Sequence, residues 1–160
     1  MRDDPNEGRL LLPEVTYVNH GRSAAMVIRA GLQIKLAKRS QLETEPTYQE
    51  TVDCDATSIG SLYIKPGESF TDRPLGMLRI PREQEPGLEP DSPLIWVWGH
   101  IEYMDPFETV TDAGFVAFQY PEVKAGDRII QPADFRFKGP SSYTFVRHRF
   151  GEIGRLTPTV

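Results

Sequence analysis

Apolar and polar residues alternate in the segment 24–36, and this is the clearest pattern in the sequence. All seven even-numbered positions are apolar, whereas the odd-numbered ones include Arg29 and Lys35. A strand places alternate side chains on opposite faces, whereas a helix would scatter the same residues around its axis. The pattern therefore predicts a half-buried strand, with a bend near Gly31 because thirteen residues make a long strand.

Two further strands are predicted to form a hairpin. The segment 94–103 places apolar residues on both faces, with Trp96 and Trp98 on the same one. After a short reversal at 104–108, the segment 109–120 is also apolar on both faces, which is typical of a central strand. Strands joined by so few residues are expected to pair antiparallel.

Shorter strand candidates fill much of the remaining chain, at 14–19, 59–65, 77–80 and in three segments after residue 126. The polar segment 38–56 and the proline-rich acidic segment 81–93 are interpreted as loops or edge excursions. About six to eight strands without an amphipathic helix predict an all-β fold, a sandwich or a barrel. The residues predicted to fill its core are Ile28, Leu32, Ile34, Val97, Ile101, Val116 and Phe118.

The composition adds a size and a charge to this picture. The chain has 160 residues, which suits one domain, and we expect a disordered lead-in at 1–9, one domain at 10–150 and a tail at 151–160. The net charge of −5 argues against a dedicated nucleic-acid binder. Six basic and two acidic residues follow position 127. This basic strip could meet an acidic partner or lipid headgroups, or fold back on the acidic loops of its own domain.

Two turns are expected to be organised by particular residues. Asn19 and Gly21 form the first, since both tolerate positive φ. In the second, the Asp105 side chain is placed to accept hydrogen bonds from backbone N–H groups two residues on, and Pro106 supplies a fixed φ. The second turn should fix the register of the hairpin, because a slip of one residue would exchange its two faces.

The same two regions resemble a known group of sequences. The segment 19–25 reads Asn-His-Gly-Arg-Ser-Ala-Ala, similar to an Asn-x-Gly-x-Thr-Pro-Ala start. The segment 98–107 resembles a Tyr-Gly-x-Ile-x-Tyr-x-Asp-x-Phe-Gly hairpin, with Glu108 where glycine is usual. Both motifs occur together in uncharacterised bacterial domains with an immunoglobulin-like β-sandwich. Ser23 and Ala24 depart from the Thr-Pro of that group.

The resemblance implies an immunoglobulin-like antiparallel sandwich without an assigned activity. In that group the domain commonly follows one or two membrane helices. No apolar stretch of the present sequence is long enough to span a bilayer. The resemblance therefore implies membrane association through a segment outside this sequence.

Residues that carry chemistry are scattered through the sequence. His20, His100 and His148 are far apart, Cys54 is the lone cysteine, and no nucleophile, phosphate-loop or dinucleotide motif is evident. We therefore expect no enzymatic activity, no metal site and no cofactor.

Trp96, Trp98 and His100 form the candidate ligand or partner surface, because they share one face of their predicted strand. That face could be covered by a loop or tail of the chain, could meet a partner, or could offer a stacking platform. Together with the resemblance, which implies a bacterial protein, the sequence predicts a non-catalytic interaction or accessory domain with a protein partner. The alternative is a carbohydrate- or small-ligand-binding module that uses Trp96 and Trp98.

Overall fold

A computed structural model describes most of the chain. The described residues are 8–53, 62–74, 76–81, 92–120, 123–125, 128–131 and 134–150. Residues 1–7 of the expected lead-in, residues 82–91 of the acidic loop and the tail at 151–160 lie outside them. Within the described ranges the fold is built from β-strands, with two 3-10 turns at 39–41 and 141–143.

Thirteen strands lie in the described part of the chain. They are β1 (Arg9–Leu11), β2 (Val15–Val18), β3 (Ala25–Ala37), β4 (Glu50–Asp53), β5 (Leu62–Ile64), β6 (Ser69–Asp72), β7 (Leu78–Ile80), β8 (Leu94–Met104), β9 (Thr109–Tyr120), β10 (Val123–Ala125), β11 (Arg128–Gln131), β12 (Asp134–Arg136) and β13 (Phe145–Phe150).

A seven-stranded antiparallel sheet dominates the fold. Its centre is formed by the three long strands β3, β8 and β9, which lie side by side with β8 in the middle. The short strands β4 and β5 extend the outer edge of β3, and β12 and β13 extend the outer edge of β9. The remaining described strands form the pairs β1–β7, β2–β6 and β10–β11. The all-β prediction is therefore confirmed.

The two faces of the large sheet are covered by different parts of the chain. One face, here called the leucine face, carries Leu32, Val97 and Ile101. Tyr17 of β2 and Phe70 of β6 stack on each other and pack against the buried cluster on this side. The β2–β6 pair thus forms the second layer of a sandwich-like fold.

The opposite face, here called the tryptophan face, carries Trp96, Trp98 and Val116. It is covered by the loop that follows β3, through Leu42 and Tyr48, and by Tyr143. Both faces of β8 are buried in consequence, and the burial is continuous from 95 to 102.

The three strongest strand predictions are confirmed, at β3, β8 and β9. The side-chain alternation in β3 differs from the prediction, because a β-bulge shifts its register against β8 between Val27 and Arg29. Beyond the bulge Val27 lies on the leucine face and is fully buried, whereas Ile28 is half-buried. Met26 consequently pairs with Met104 on the tryptophan face.

The predicted core is correct in part. Leu32, Val97, Ile101 and Val116 are buried, whereas Ile28, Ile34 and Phe118 are half-buried. Val116 and Phe118 lie on the tryptophan face, so the predicted residues fill two separate clusters.

Strand β1 already begins at residue 9, where the lead-in was expected to end, because it pairs with β7. The immunoglobulin-like strand arrangement stays a prediction.

We expect Leu32→Ala to lower the free energy of unfolding by about 2–5 kcal/mol, because it removes a fully buried side chain and leaves a cavity. Urea denaturation measures the loss. The matched control is Leu12→Ala, since Leu12 is about half exposed and should change the stability by roughly 0.5 kcal/mol or less. Equal losses in the two variants would show that Leu32 is not part of the core.

Candidate functional site

A cavity of about 580 Å³ opens at one end of the leucine face. Its walls come from β2 with the turn behind it (17–21), the start of β3 (23–27) and the β8–β9 hairpin between 101 and 111. Ile64 of β5 and His148 of β13 complete the lining. We call this the end cavity. Its lining brings together segments that are about 80 positions apart in the sequence.

The first wall of the end cavity is held by Asn19. Its Nδ2 donates to the carbonyl oxygens of Ser23 at 2.9 Å and Ile64 at 2.8 Å. Its Oδ1 accepts from the Gly21 N–H at 2.9 Å, and a Cβ at Gly21 would lie 3.0 Å from that oxygen. Three hydrogen bonds therefore tie the turn to itself and to β5, which fixes the position of this wall.

The second wall is held by Asp105 at the hairpin turn. Its Oδ1 accepts from the backbone N–H groups of Phe107 at 2.8 Å and Thr109 at 2.9 Å. The backbone closes the turn as well, because Glu108 N donates to Asp105 O at 3.1 Å and Asp105 N donates to Thr109 O at 3.1 Å. Pro106 occupies the position after Asp105, where a fixed φ favours such a turn.

Glu108 has a φ of +61°, in the left-handed region that L-residues with a side chain rarely adopt. This is the position at which the resembling sequences carry glycine. The turn therefore requires a backbone conformation that glycine adopts without steric cost and that glutamate adopts with strain.

The described lining of the end cavity includes nine residues with polar side chains, Tyr17, Asn19, His20, Ser23, Tyr103, Asp105, Thr109, Thr111 and His148. Thr111 Oγ1 and His148 Nδ1 lie 3.0 Å apart and hydrogen-bond across β9 and β13. Tyr17 reaches from β2 to the main sheet, and its hydroxyl donates to the His100 carbonyl oxygen at 3.4 Å. Burial raises the pKa of Tyr17 well above its usual value, with a smaller contribution from Asp72, so this hydroxyl stays protonated. Among the described lining residues, Asp105 is the only acidic one, and none is lysine or arginine.

The structure buries Trp96, Trp98 and His100, the residues of the candidate ligand or partner surface. These side chains are only 1%, 5% and 8% exposed. The indole Nε1 of Trp96 donates to the Ala37 carbonyl oxygen at 3.0 Å, and the indole Nε1 of Trp98 donates to the Thr47 carbonyl oxygen at 2.9 Å. The rings are covered by their own chain, which was one of the three alternatives, so they offer no platform to a ligand.

His100 belongs to a buried polar cluster on the tryptophan face. Tyr48 packs on its ring at a centroid distance of 4.4 Å, and its Nδ1 lies 3.6 Å from Asp112 Oδ1. Arg149 of β13 reaches over β9 and donates to Glu102 Oε2 at 2.6 Å. Burial raises the pKa of Tyr48 to about 12, assisted by the negative charge of Asp112. These contacts join three strands and the covering loop.

A second buried carboxyl lies at the edge of the main sheet. Asp72 of β6 is buried, and its Oδ2 accepts from the Thr51 hydroxyl at 2.8 Å. Its Oδ1 accepts from the Arg73 N–H at 2.8 Å. Burial raises the pKa of Asp72, and the two hydrogen bonds oppose that rise because they favour the ionised form. Asp72 therefore anchors the second layer of the sandwich to β4.

Comparisons with other proteins identify no relative. No protein-family model, no curated protein and no solved structure matches the chain significantly. Within the described ranges, no three metal-ligating side chains are placed to hold an ion together. No helix in the described part of the chain has the length and apolar character needed to cross a membrane.

Sequence reasoning assigned Asn19, Gly21, Asp105 and Pro106 to two separate turns, and the structure places both turns on one cavity. It did not anticipate the cavity, because Tyr17, Ile64 and His148 come from segments with no shared sequence pattern. The available signal was the pair of motifs, which contain most of the turn and hairpin residues in its walls.

We expect Asp105→Ala to lower the free energy of unfolding by about 1 kcal/mol, because two backbone N–H groups lose their acceptor. Urea denaturation measures the effect. The control is Asp105→Asn, measured in the same way. The asparagine side-chain oxygen can accept the same two hydrogen bonds, so its loss should be much smaller. If alanine and asparagine destabilise equally, Asp105 does not organise the turn through these bonds.

We expect Glu108→Gly to raise the free energy of unfolding by about 1 kcal/mol, because glycine relieves the strain at a φ of +61°. Thermal unfolding compares it with Glu108→Ala, which removes the carboxylate but keeps the Cβ. The alanine variant should remain close to the wild type in stability. A glycine variant no more stable than the alanine variant would contradict the strain.

Proposed function

We propose that this chain is a non-catalytic interaction domain that binds a protein partner at the end cavity. The observation that carries the proposal is the convergence of two rigidly held turns on this one cavity. Turns fixed by their own side chains cost little conformational entropy on binding, which favours recognition by a preformed surface. The polar groups of Asn19 and most of those of Asp105 are used to hold the walls, as a binding scaffold requires.

Phe107 supports a polypeptide as the partner. It lies at the tip of the hairpin that forms the second wall, and it is 81% exposed. Its own N–H is bound by Asp105, so the residue is carried on a fixed turn. A rigid exposed aromatic residue beside a cavity is typical of the anchors that dominate protein interfaces.

The motif resemblance supports a bacterial accessory role for this interaction, and association with a membrane rests on that resemblance alone.

A second candidate function is a small-ligand-binding module that uses the end cavity in place of the tryptophans. The cavity volume favours it, since about 580 Å³ lies within the range of roughly 300–1,000 Å³ that is common for ligand pockets.

The test places a photo-crosslinking phenylalanine analogue at position 107 of the full-length protein in its native host. Illumination is expected to give one dominant crosslinked protein. The matched control carries the analogue at Phe137, which is similarly exposed at 79% but follows β12 and is not part of the hairpin turn that carries Asp105. The same product should be absent there, because Phe137 lies outside the proposed interface.

Identical products at both positions, or none at 107, would contradict a partner at this end of the fold. The small-ligand alternative is supported if position 107 gives no product while a ligand co-purifies with the wild type. That ligand should be lost from a Tyr103→Ala variant, because Tyr103 lines the cavity.

A further inference from the structure

We infer that the end cavity binds an alkylammonium group presented by the partner, as in a lysine side chain. This inference rests on the proposed function and specifies the chemistry of its partner. It starts from the carboxylate of Asp105, whose two oxygens have different surroundings. Both hydrogen bonds of the turn end on Oδ1, so Oδ2 lies outside the hydrogen bonding of the turn while the residue lines the cavity.

The charge of the described lining selects the sign of the ligand. Asp105 is its only acidic residue, and no lysine or arginine is present among these residues. Two histidines, His20 and His148, also line the cavity, and Nδ1 of His148 is hydrogen-bonded to the Thr111 hydroxyl at 3.0 Å. A carboxylate that receives a cationic donor forms a charge-assisted hydrogen bond, which is stronger than a neutral one. An anionic ligand would meet like charge at the same position. The cavity therefore favours a cation.

Part of the remaining lining is aromatic or aliphatic and could receive an apolar stem that carries the cation. Tyr17 and Tyr103 contribute aromatic rings to the lining, and Val27, Ile64 and Ile101 contribute aliphatic carbon. An ammonium group is attracted to an aromatic face, and a methylene chain gains by leaving water for such walls. Lysine has this combination of a compact charged head and a four-carbon stem.

The exposed residue at the hairpin turn favours a polypeptide as the source of the ammonium group. Phe107 stands 81% exposed at the hairpin turn that carries Asp105, so a chain entering the cavity can pack its neighbouring residues on this ring. A free amine could use the carboxylate but would leave Phe107 without a contact. We therefore assign the cavity to a lysine within a partner segment.

The first measurement titrates three blocked tripeptides into the full-length protein and follows backbone amide signals by NMR. The probe is acetyl-Ala-Lys-Ala-amide, and the same peptide with acetyl-lysine or glutamate at the centre provides the neutral and anionic comparisons. The lysine peptide should produce saturable shifts confined to the end cavity. It should bind at least about tenfold more tightly than the acetyl-lysine peptide, as loss of a charged hydrogen bond predicts.

The second measurement separates the charge of Asp105 from its role in the turn. Asp105→Asn preserves an oxygen that accepts the turn hydrogen bonds and removes the charge, so it should weaken the lysine peptide about tenfold with little change in melting temperature. Glu108→Gln is the matched control. It removes a carboxylate from the same turn, at an exposed residue that does not line the cavity, and should leave affinity unchanged.

Equal affinities for the lysine and acetyl-lysine peptides, or equal effects of the two variants, would overturn the cation assignment. Equally tight binding of n-butylammonium would overturn the assignment to a polypeptide. The two proposals fail separately. A crosslinked partner at position 107 without any lysine preference leaves the proposed function in place, whereas absence of both refutes the site itself.

Discussion

The register of β8 between β3 and β9 is the constraint on which the rest of the fold depends. Continuous burial from 95 to 102 leaves neither face of β8 free, so each neighbour must fit residue by residue. Two glycines make this fit possible. A Cβ at Gly99 would lie 2.7 Å from the Gly31 carbonyl oxygen, and a Cβ at Gly31 would lie 3.0 Å from the His100 ring. A slip of one residue would press side chains into both places and bring the tryptophans onto the leucine face.

The same constraint explains why polar residues are buried on the tryptophan face. Beyond Trp98, β8 continues with His100 and Glu102 on that side, and the register places Glu102 opposite Asp112 of β9. Two neighbouring carboxylates in a covered region are costly unless cations reach them. Arg149 contributes such a cation from β13, so part of the basic C-terminal strip contacts its own domain. β13 is thereby linked to β8 by an ion pair, in addition to its backbone pairing with β9.

The sequence predicts the three long strands because a half-buried or central strand needs apolar side chains at defined positions, and period two reveals them. It does not predict the bulge after Val27, because an inserted residue changes the pairing without changing the pattern. The sequence also does not predict which segment covers Trp96. The loop at 38–49 is polar, and it covers the ring through contacts between residues far apart in the sequence. β6 was missed because Ser69–Asp72 is mostly polar and one-sided in its burial. Long-range contacts between loops create the end cavity, and no local pattern records them.

The hairpin turn couples the fold to the site through a single carboxylate. Because Oδ1 of Asp105 accepts two backbone N–H groups, the side chain is held in one orientation before any partner arrives. In the proposed complex, the second oxygen would meet its ligand at little cost in conformational entropy, because the carboxylate is already fixed. The strain at Glu108 belongs to the same device, since the left-handed residue allows the N–H of Thr109 to turn back toward Asp105. The same few atoms therefore set the stability of the turn and the shape of this wall of the end cavity.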